Sequence, residues 1–363
     1  MRILVGLSGG VDSSVVASLL KEQGHDVIGA TMSIWDKEAN LNIKNQKDGC
    51  FSPHEEEDIA LARDLCKKLD IEYHVIDCTK VYKQIVLENF KQEYLKGRTP
   101  NPCVICNSKI KFEALPLGAL DMGIKFDKFA TGHYAKISYN DTLKRYQLQR
   151  GQDIKKDQSY FIYRLTQEQL SKIIMPLGDL TKEQTRELAL RYNLAVSTKK
   201  DSQDFYTGSI NDILQAPLQK GNFVDKNGKI LGTHNGIWNF TIGQRKGLGI
   251  SAPRPLYVID LNKDKNEVVL GFVEEGMTDE IYVEDINFLS VPDIASNTNI
   301  FAKVRSSQSP EEAVITKEND NLYKLTFQNT QNAIASGQSA VFYDKDGYVL
   351  GGGFIKRKKD VSI

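Results

Sequence analysis

Strand and helix periods alternate through the first half of the chain. Residues 2–7 form a short apolar run that predicts a buried strand, residues 8–12 a glycine-rich turn, and residues 13–23 a helix with Val15, Val16, Leu19 and Leu20 on one side. A second strand is predicted over 27–32, a helix over 55–68, a strand over 73–76 and an amphipathic helix over 81–95. Residues 98–107 carry Pro100 and Pro102 and read as an ordered loop, with a new helix from about 109 to 122. A strand over 128–131, a hairpin with arms 135–139 and 145–150, and a helix over 180–192 complete this part. Strands alternating with helices predict a parallel sheet with crossover helices.

The period changes after Ser202. Short strands with turn signals follow, and from about Glu280 the segments 300–304, 312–316, 323–327 and 340–343 alternate, with a hairpin turn at Asp346-Gly347. The predicted class is α/β, with an N-terminal α/β domain over 1–205, a small mixed central domain over 206–278 and an antiparallel β-barrel over 279–363. The basic end, residues 355–363, reads as a solvated tail.

Composition narrows the function. The 363 residues are 40% hydrophobic and 26% charged with a mean hydropathy of −0.38, the make-up of an ordinary globular protein. Lys plus Arg and Asp plus Glu both number 47, so bulk charge does not hold a nucleic acid, while a locally basic face stays open. No apolar run approaches the ~20 residues that span a bilayer. The N-terminus lacks the features of a secretory signal, so a cytoplasmic protein without a membrane partner is expected. Five cysteines are too few for a disulfide scaffold, which turns attention to metal, persulfide or redox chemistry for any that cluster.

Two segments concentrate that chemistry. The first is Gly6-Leu7-Ser8-Gly9-Gly10-Val11-Asp12-Ser13-Ser14, between the first strand and first helix, where backbone N–H groups and a helix N-terminus converge on an anion. It lacks the lysine and spacing of a γ-phosphate-transfer loop, and it lacks Gly-x-Gly-x-x-Gly. Gly9 and Gly10 let the backbone approach an oxygen-rich ligand, Ser8, Ser13 and Ser14 add hydroxyls, and Asp12 can hold a divalent ion such as Mg²⁺. The loop resembles that of the ATP pyrophosphatases, whose domains are adenine nucleotide alpha hydrolase-like and Rossmann-like. That resemblance implies ATP and an adenylated substrate, and is silent on which substrate.

The second segment, Asn101-Pro102-Cys103-Val104-Ile105-Cys106-Asn107, places two thiols three positions apart, enough for one disulfide but short of a complete metal site. Further stretches agree with it: Ala130-Thr131-Gly132-His133-Tyr134, Lys156-Asp157-Gln158-Ser159-Tyr160-Phe161, Lys199-Lys200-Asp201-Ser202, TIGQRKGLG over 241–249, and Gly351-Gly352-Gly353. Together they resemble, nearly end to end, the tRNA-specific 2-thiouridylases (the MnmA/TRMU family).

The resemblance implies adenylation of the wobble uridine (U34) at its 2-oxygen, displacement of AMP by a sulfur nucleophile and a thiocarbonyl at C2. It implies ATP contacts at Gly6, Leu7, Ser8, Gly9, Gly10, Val11, Asp12 and Ser13, with Met32 and Gly132 lining the adenine site. Asn101, Pro102 and Cys103 match a segment touching the target base, while Lys156, Asp157, Gln158, Arg305 and Ser306 match tRNA contacts. Cys106 falls at the first catalytic cysteine, and Lys109, Lys111 or Mg²⁺ would favour its thiolate. Cys106, Cys103 and Asp12 are therefore the catalytic candidates.

The chain departs from the pattern twice. An aspartate is usual three residues before the first catalytic cysteine, and a second cysteine four residues after Lys-Lys-Asp-Ser; here those places hold Cys103 and Tyr206. Tyr206 cannot carry a sulfane sulfur. Three readings stay open: a Cys103–Cys106 pair, one bearing a persulfide and the other resolving it; a [4Fe-4S] cluster on Cys50, Cys103 and Cys106; or structural zinc or an inactive site. Cys66 and Cys78 read as core, as do Trp238, Phe240, Tyr257 and Tyr282, and His133 as either a phosphate contact or packing. Gln244, Arg245 and Lys246 suit phosphate or backbone contacts. The expected activity is ATP-dependent 2-thiolation of tRNA, with tRNA and a sulfur donor, either a persulfide-carrying protein or free sulfide, as partners. The rivals are a pyrophosphate-loop ligase acting on a small molecule and an inactive tRNA-binding homologue.

Overall fold

The structure is a computed structural model in which residues 1–36, 49–199 and 205–361 are described; Lys200-Asp201-Ser202 of the basic motif lie outside the described residues. The N-terminal part is a parallel sheet of β1 (Arg2–Gly6), β2 (Asp26–Ser33), β3 (Glu72–Asp77), β4 (Lys128–Ala130) and the short strand Ile173–Ile174, in the order β3-β2-β1-β4-Ile173 strand. Ile3, Leu4 and Val5 of β1 are fully buried, as a central parallel strand covered on both faces requires. Helix α1 (Val11–Glu22) covers one face with Val15, Val16 and Leu20, and α2 (Glu55–Leu69) adds Ala62, Leu65 and Cys66. The chain leaves β1 on one side for β2 and β3, then crosses to its other side for β4, so the carboxyl ends of β1 and β4 flank the switch point where such sheets bind ligands.

The proline-rich segment is not the loop that its prolines suggest. Cys103 and Cys106 lie on a helix, Pro102–Cys106, that runs on through wide π-type turns at Asn107–Ala114 and into Leu115–Asp121. Pro102 sits in its first turn, where the N–H has no intrahelical partner and the fixed φ suits the helix, so this proline starts the element rather than breaking it. Eight residues of π geometry directly after Cys106 are unusual and mark functional segments more often than ordinary helix.

The central part is a four-stranded sheet of Tyr257–Asn262, Glu267–Gly271, Gly221–Val224 and Ile230–His234. The C-terminal part is a closed barrel of six strands, Thr278–Phe288, Leu322–Gln331, Glu311–Asn319, Thr298–Lys303, Ser339–Tyr343 and Val349–Lys356. Trp238, Phe240 and Tyr282 are buried as expected and Tyr257 is half-buried; Cys66 and Cys78 are buried too. The basic end is not a free tail: Arg357 and Lys359 both reach Asp260 at 2.5 Å, and Ser336 bonds Asp360, so these charges tie the barrel to the central sheet. Among the described residues no helix is long and apolar enough to cross a membrane.

Candidate active site

The glycine loop folds as its sequence dictates. Gly10 opens α1 in extended backbone with no side-chain cap, which leaves the first-turn N–H groups facing the loop. Ser13 Oγ accepts from Ser8 N at 3.2 Å and lies 3.2 Å from Ser8 Oγ, while Ser14 Oγ donates back to Gly10 O at 2.7 Å. Leu7 and Val11 are core residues, so any ligand contact at those positions runs through the backbone. Gly9 holds φ +64°, and a Cβ there would lie 2.7 Å from Asp58 O. Gly132, just beyond β4, packs so close to the loop that a Cβ would lie 2.9 Å from Ser13 N. Gly6, Met32 and Gly132 thus stand at the carboxyl ends of three neighbouring strands, β1, β2 and β4.

Asp12 is not a bare metal ligand. Its carboxylate is held at 2.8 and 2.9 Å by the ammonium of Lys182, and Tyr134 Oη lies 3.0 Å from Asp12 Oδ1. A Mg²⁺ ion on this carboxylate would have to displace the lysine, so the expected Asp12 ligand role does not fit the arrangement as it stands. Lys182 begins the helix Lys182–Arg191 behind a Thr181 capping box, and its backbone N–H bonds Asp153 Oδ2 at 3.0 Å. A second lysine, Lys199, bonds Gly9 O at 3.1 Å and Asp58 at 2.5 Å. Sequence reasoning missed Lys182: it lies 170 residues from Asp12 and carries no local signal beyond its place at a helix start.

The cysteine helix is clamped from the barrel. Gln338 Nε2 donates to Thr99 O at 3.1 Å and Pro100 O at 2.8 Å, and Thr99 N donates to Ser336 O at 2.8 Å. Asn101 is buried and its side chain meets the Tyr160 hydroxyl; Pro102, Cys103 and Cys106 are half-buried. Burial pushes the Cys106 thiol up to about 12; Lys111 pulls it down, and Cys103, Cys50 and Cys78 push it up. The expected resting thiolate is therefore corrected: desolvation outweighs the lysine, and Lys109 points elsewhere, to Glu113 at 3.0 Å.

Cys50 is exposed, and its neighbour Phe51 bonds Phe205 O through its N–H at 3.0 Å, with rings 6.4 Å apart between Phe51 and Tyr206. The fold thus brings Cys50 alongside position 206 and into the electrostatic surroundings of Cys106. Tyr206 itself bonds Asp212 at 2.8 Å. Yet among the described residues no three His, Cys, Asp or Glu side chains stand at a spacing that holds a metal ion. Cys50, Cys103 and Cys106 therefore do not form a ready cradle for the expected iron–sulfur group.

His133 links the two halves. It is buried, its Nδ1 lies 2.8 Å from Thr131 Oγ1 and its ring 5.2 Å from that of Phe112. Burial, then Lys111, drives it down to about 3, so it is a neutral packing residue between Gly132 on the loop side and Lys111 on the thiol side. Of the matched tRNA segment, Lys156 is half-exposed, but the Asp157 side chain is fully enclosed, accepting from Arg150, Gly151 N, Ser159 N and Ser159 Oγ. An inward carboxylate with four donors braces the loop, and its side chain is turned away from solvent. Gln158 likewise pairs with the backbone of Tyr134. Arg305 donates to Ile242 O and Ala333 O, joining the barrel to a turn of the central part, and Ser306 is exposed.

Comparison with known proteins agrees with this arrangement along the whole chain. The tRNA methyl transferase HUP domain family matches residues 1–206, the tRNA methyl transferase PRC-barrel domain family 210–272, and the aminomethyltransferase beta-barrel domain family 278–355. The tRNA-specific 2-thiouridylase MnmA of Endomicrobium trichonymphae is 48% identical over 357 residues, covering 98% of this chain and 99% of that protein. The proteins of the same name from Clostridium botulinum (strain Alaska E43) and Carboxydothermus hydrogenoformans are 46% and 43% identical, each over 98% of both chains. With a HUP-type parallel sheet, a central PRC-barrel match, a closed six-stranded barrel and full-length relatives at this identity, the chain belongs to the family of the tRNA-specific 2-thiouridylases.

Proposed function

We propose that the protein catalyses ATP-dependent 2-thiolation of the wobble uridine of tRNA, with the glycine loop as the ATP site and Cys106 as the sulfur-bearing residue. The observation that carries this reading is the meeting of an uncapped glycine loop and a two-cysteine helix on one sheet, joined through Gly132, His133 and Lys111. Gly6 to Ser13 hold the phosphates of ATP through backbone N–H groups, with Met32 and Gly132 beside the adenine. The uridine 2-oxygen attacks the α-phosphorus, pyrophosphate leaves, and the O-adenylate makes C2 electrophilic. Lys182 and Lys199 supply positive charge at the loop as pyrophosphate departs.

Sulfur arrives as a persulfide on Cys106, passed from a persulfide-carrying protein or formed from sulfide and an oxidised thiol. Its terminal sulfur is acidic enough to ionise where the buried Cys106 thiol is not, and Lys111 faces the anion. That sulfur attacks C2 and AMP leaves with the 2-oxygen. Cys103 then attacks Cys106 Sγ: the sulfur–sulfur bond to the uridine breaks, a Cys103–Cys106 disulfide forms, and 2-thiouridine departs. A dithiol reductant resets the pair. The cycle needs free thiols, in keeping with a cytoplasmic setting. Asn101 and Pro102 border the reacting base, while Lys156 and Ser306 are the matched positions left to face the tRNA.

The test combines a tRNA thiolation assay with ATP, using metal-free protein and a persulfide donor, with the same assay after anaerobic iron and sulfide reconstitution. Thiolation by the metal-free protein, lost in Cys106→Ser with ATP binding retained, is expected. Activity only after reconstitution, lost in Cys50→Ser, would replace the persulfide route with a cluster on Cys50, Cys103 and Cys106.

A further inference from the structure

The junction between barrel and cysteine helix contains a charge without a partner. Lys303, at the end of the strand Thr298–Lys303, is only 4% exposed. Among the described residues its ammonium has no hydrogen bond or ion pair and lies 5.7 Å from the centre of the Tyr160 ring. Its Nζ is not among the sealed polar atoms that lack a partner, so the stem is buried and the tip still reaches water. Asp157 is the carboxylate whose field reaches it, but four donors already occupy that carboxylate, including Arg150 Nε at 3.1 Å. Arg305 approaches Tyr160 as well. Two cations, Arg150 and Lys303, thus share the field of one saturated carboxylate, with Arg305 in the field of Tyr160 and spent on two carbonyls. Enclosing such an excess is costly unless an anion completes the site.

The location says which anion. Tyr160 bonds Ser339 O at 2.9 Å and meets the Asn101 side chain, one residue before the cysteine helix. An anion on Lys303 therefore sits beside the segment read as touching the target base. We propose that Lys303 is a binding site for a backbone phosphate of the substrate RNA, next to the nucleotide that enters the cysteine helix. This rests on the reading of RNA as substrate. The same chemistry accepts free inorganic phosphate, which the experiment separates.

The experiment uses the full-length protein, its Lys303→Met and Lys303→Arg variants, and unmodified tRNA. Methionine keeps the apolar stem against Tyr160 and removes only the charge. Binding is measured across 50–200 mM salt, with thermal unfolding of each protein with and without inorganic phosphate. Lys303→Met should bind about three- to tenfold more weakly at the low end, with the slope of log K against log salt shallower by about 0.7–0.9, so that it loses about threefold less affinity over the range. Lys303→Arg should restore the slope, ATP binding should be unchanged, and Lys303→Met should unfold no earlier than wild type, because an uncompensated cation has been removed. An unchanged slope in Lys303→Met overturns the proposal. So does a lower unfolding temperature that arginine does not rescue, which marks a structural lysine, or Lys303-dependent stabilisation by inorganic phosphate with no change in slope. Failure of the wild type to bind tRNA in a salt-dependent way would instead overturn the RNA reading itself.

Discussion

Replacing Lys182 with methionine probes the ATP site at the contact that sequence reasoning could not reach. The ammonium bonds both oxygens of Asp12, and the two side chains are 9% and 27% exposed. Removing one partner of a fully buried pair costs ~3–5 kcal/mol. Asp12 keeps some water and the Tyr134 hydroxyl at 3.0 Å, so the expected loss is about 2 kcal/mol, or roughly 4–8 °C in the unfolding midpoint of a domain this size. With Asp12→Asn and the double variant, the cycle should give a coupling of about 1–2 kcal/mol. AMP formation should fall at least about 100-fold, equivalent to ~2.7 kcal/mol of barrier, because the loop loses positive charge where pyrophosphate leaves. Binding of tRNA should hold. A coupling below about 0.5 kcal/mol together with wild-type AMP formation would refute both the structural and the chemical assignment of Lys182.

Three further outcomes are expected. Cys103→Ser should leave tRNA trapped on Cys106 as a mixed disulfide, seen as a shifted band on a non-reducing gel and released by an added dithiol; free thiolated tRNA at the wild-type rate would remove Cys103 from the resolving step. Gly132→Ala places a Cβ 2.9 Å from Ser13 N and 3.0 Å from the Asp12 carbonyl carbon, so the loop must shift; ATP affinity should drop at least about tenfold while tRNA binding persists, and unaltered ATP titration would show the loop is not held from β4. His133 has a folded-state value of about 3 against 6.5 unfolded, so the unfolded chain takes up the proton first as pH falls. Its effect is absent above 6.5 and removes stability at up to about 1.4 kcal/mol per unit below it. His133→Gln should therefore flatten the loss of urea stability between pH 6.5 and 5 by about 2 kcal/mol, and parallel curves for variant and wild type would contradict a buried neutral imidazole.

The sequence by itself determined what depends on near neighbours along the chain. The apolar run of residues 2–7 followed by Gly9 and Gly10 specifies a strand, a tight turn and a helix start, because backbone freedom and N–H orientation are local properties. The alternation after Glu280 likewise specifies a barrel, since one face of each strand must be buried. Even locally the reading failed at Pro102, whose effect depends on whether it begins a helix or interrupts one.

Tertiary structure decided what depends on charge and solvent across space. Asp12 reads as a metal ligand until Lys182 is folded against it from another helix, and the Asp157 carboxylate is turned inward by four donors that no local pattern announces. Cys106 reads as a thiolate because Lys111 is close in sequence, yet the water removed by the surrounding fold decides its protonation. Cys50 and Tyr206 are brought side by side by the Phe51–Phe205 backbone hydrogen bond and the ring contacts of Phe51, between segments far apart in the chain, and Lys303 is stranded beside Tyr160 by the docking of the barrel. Desolvation and Coulomb energy are sums over everything nearby in space, and no spacing along a chain encodes them.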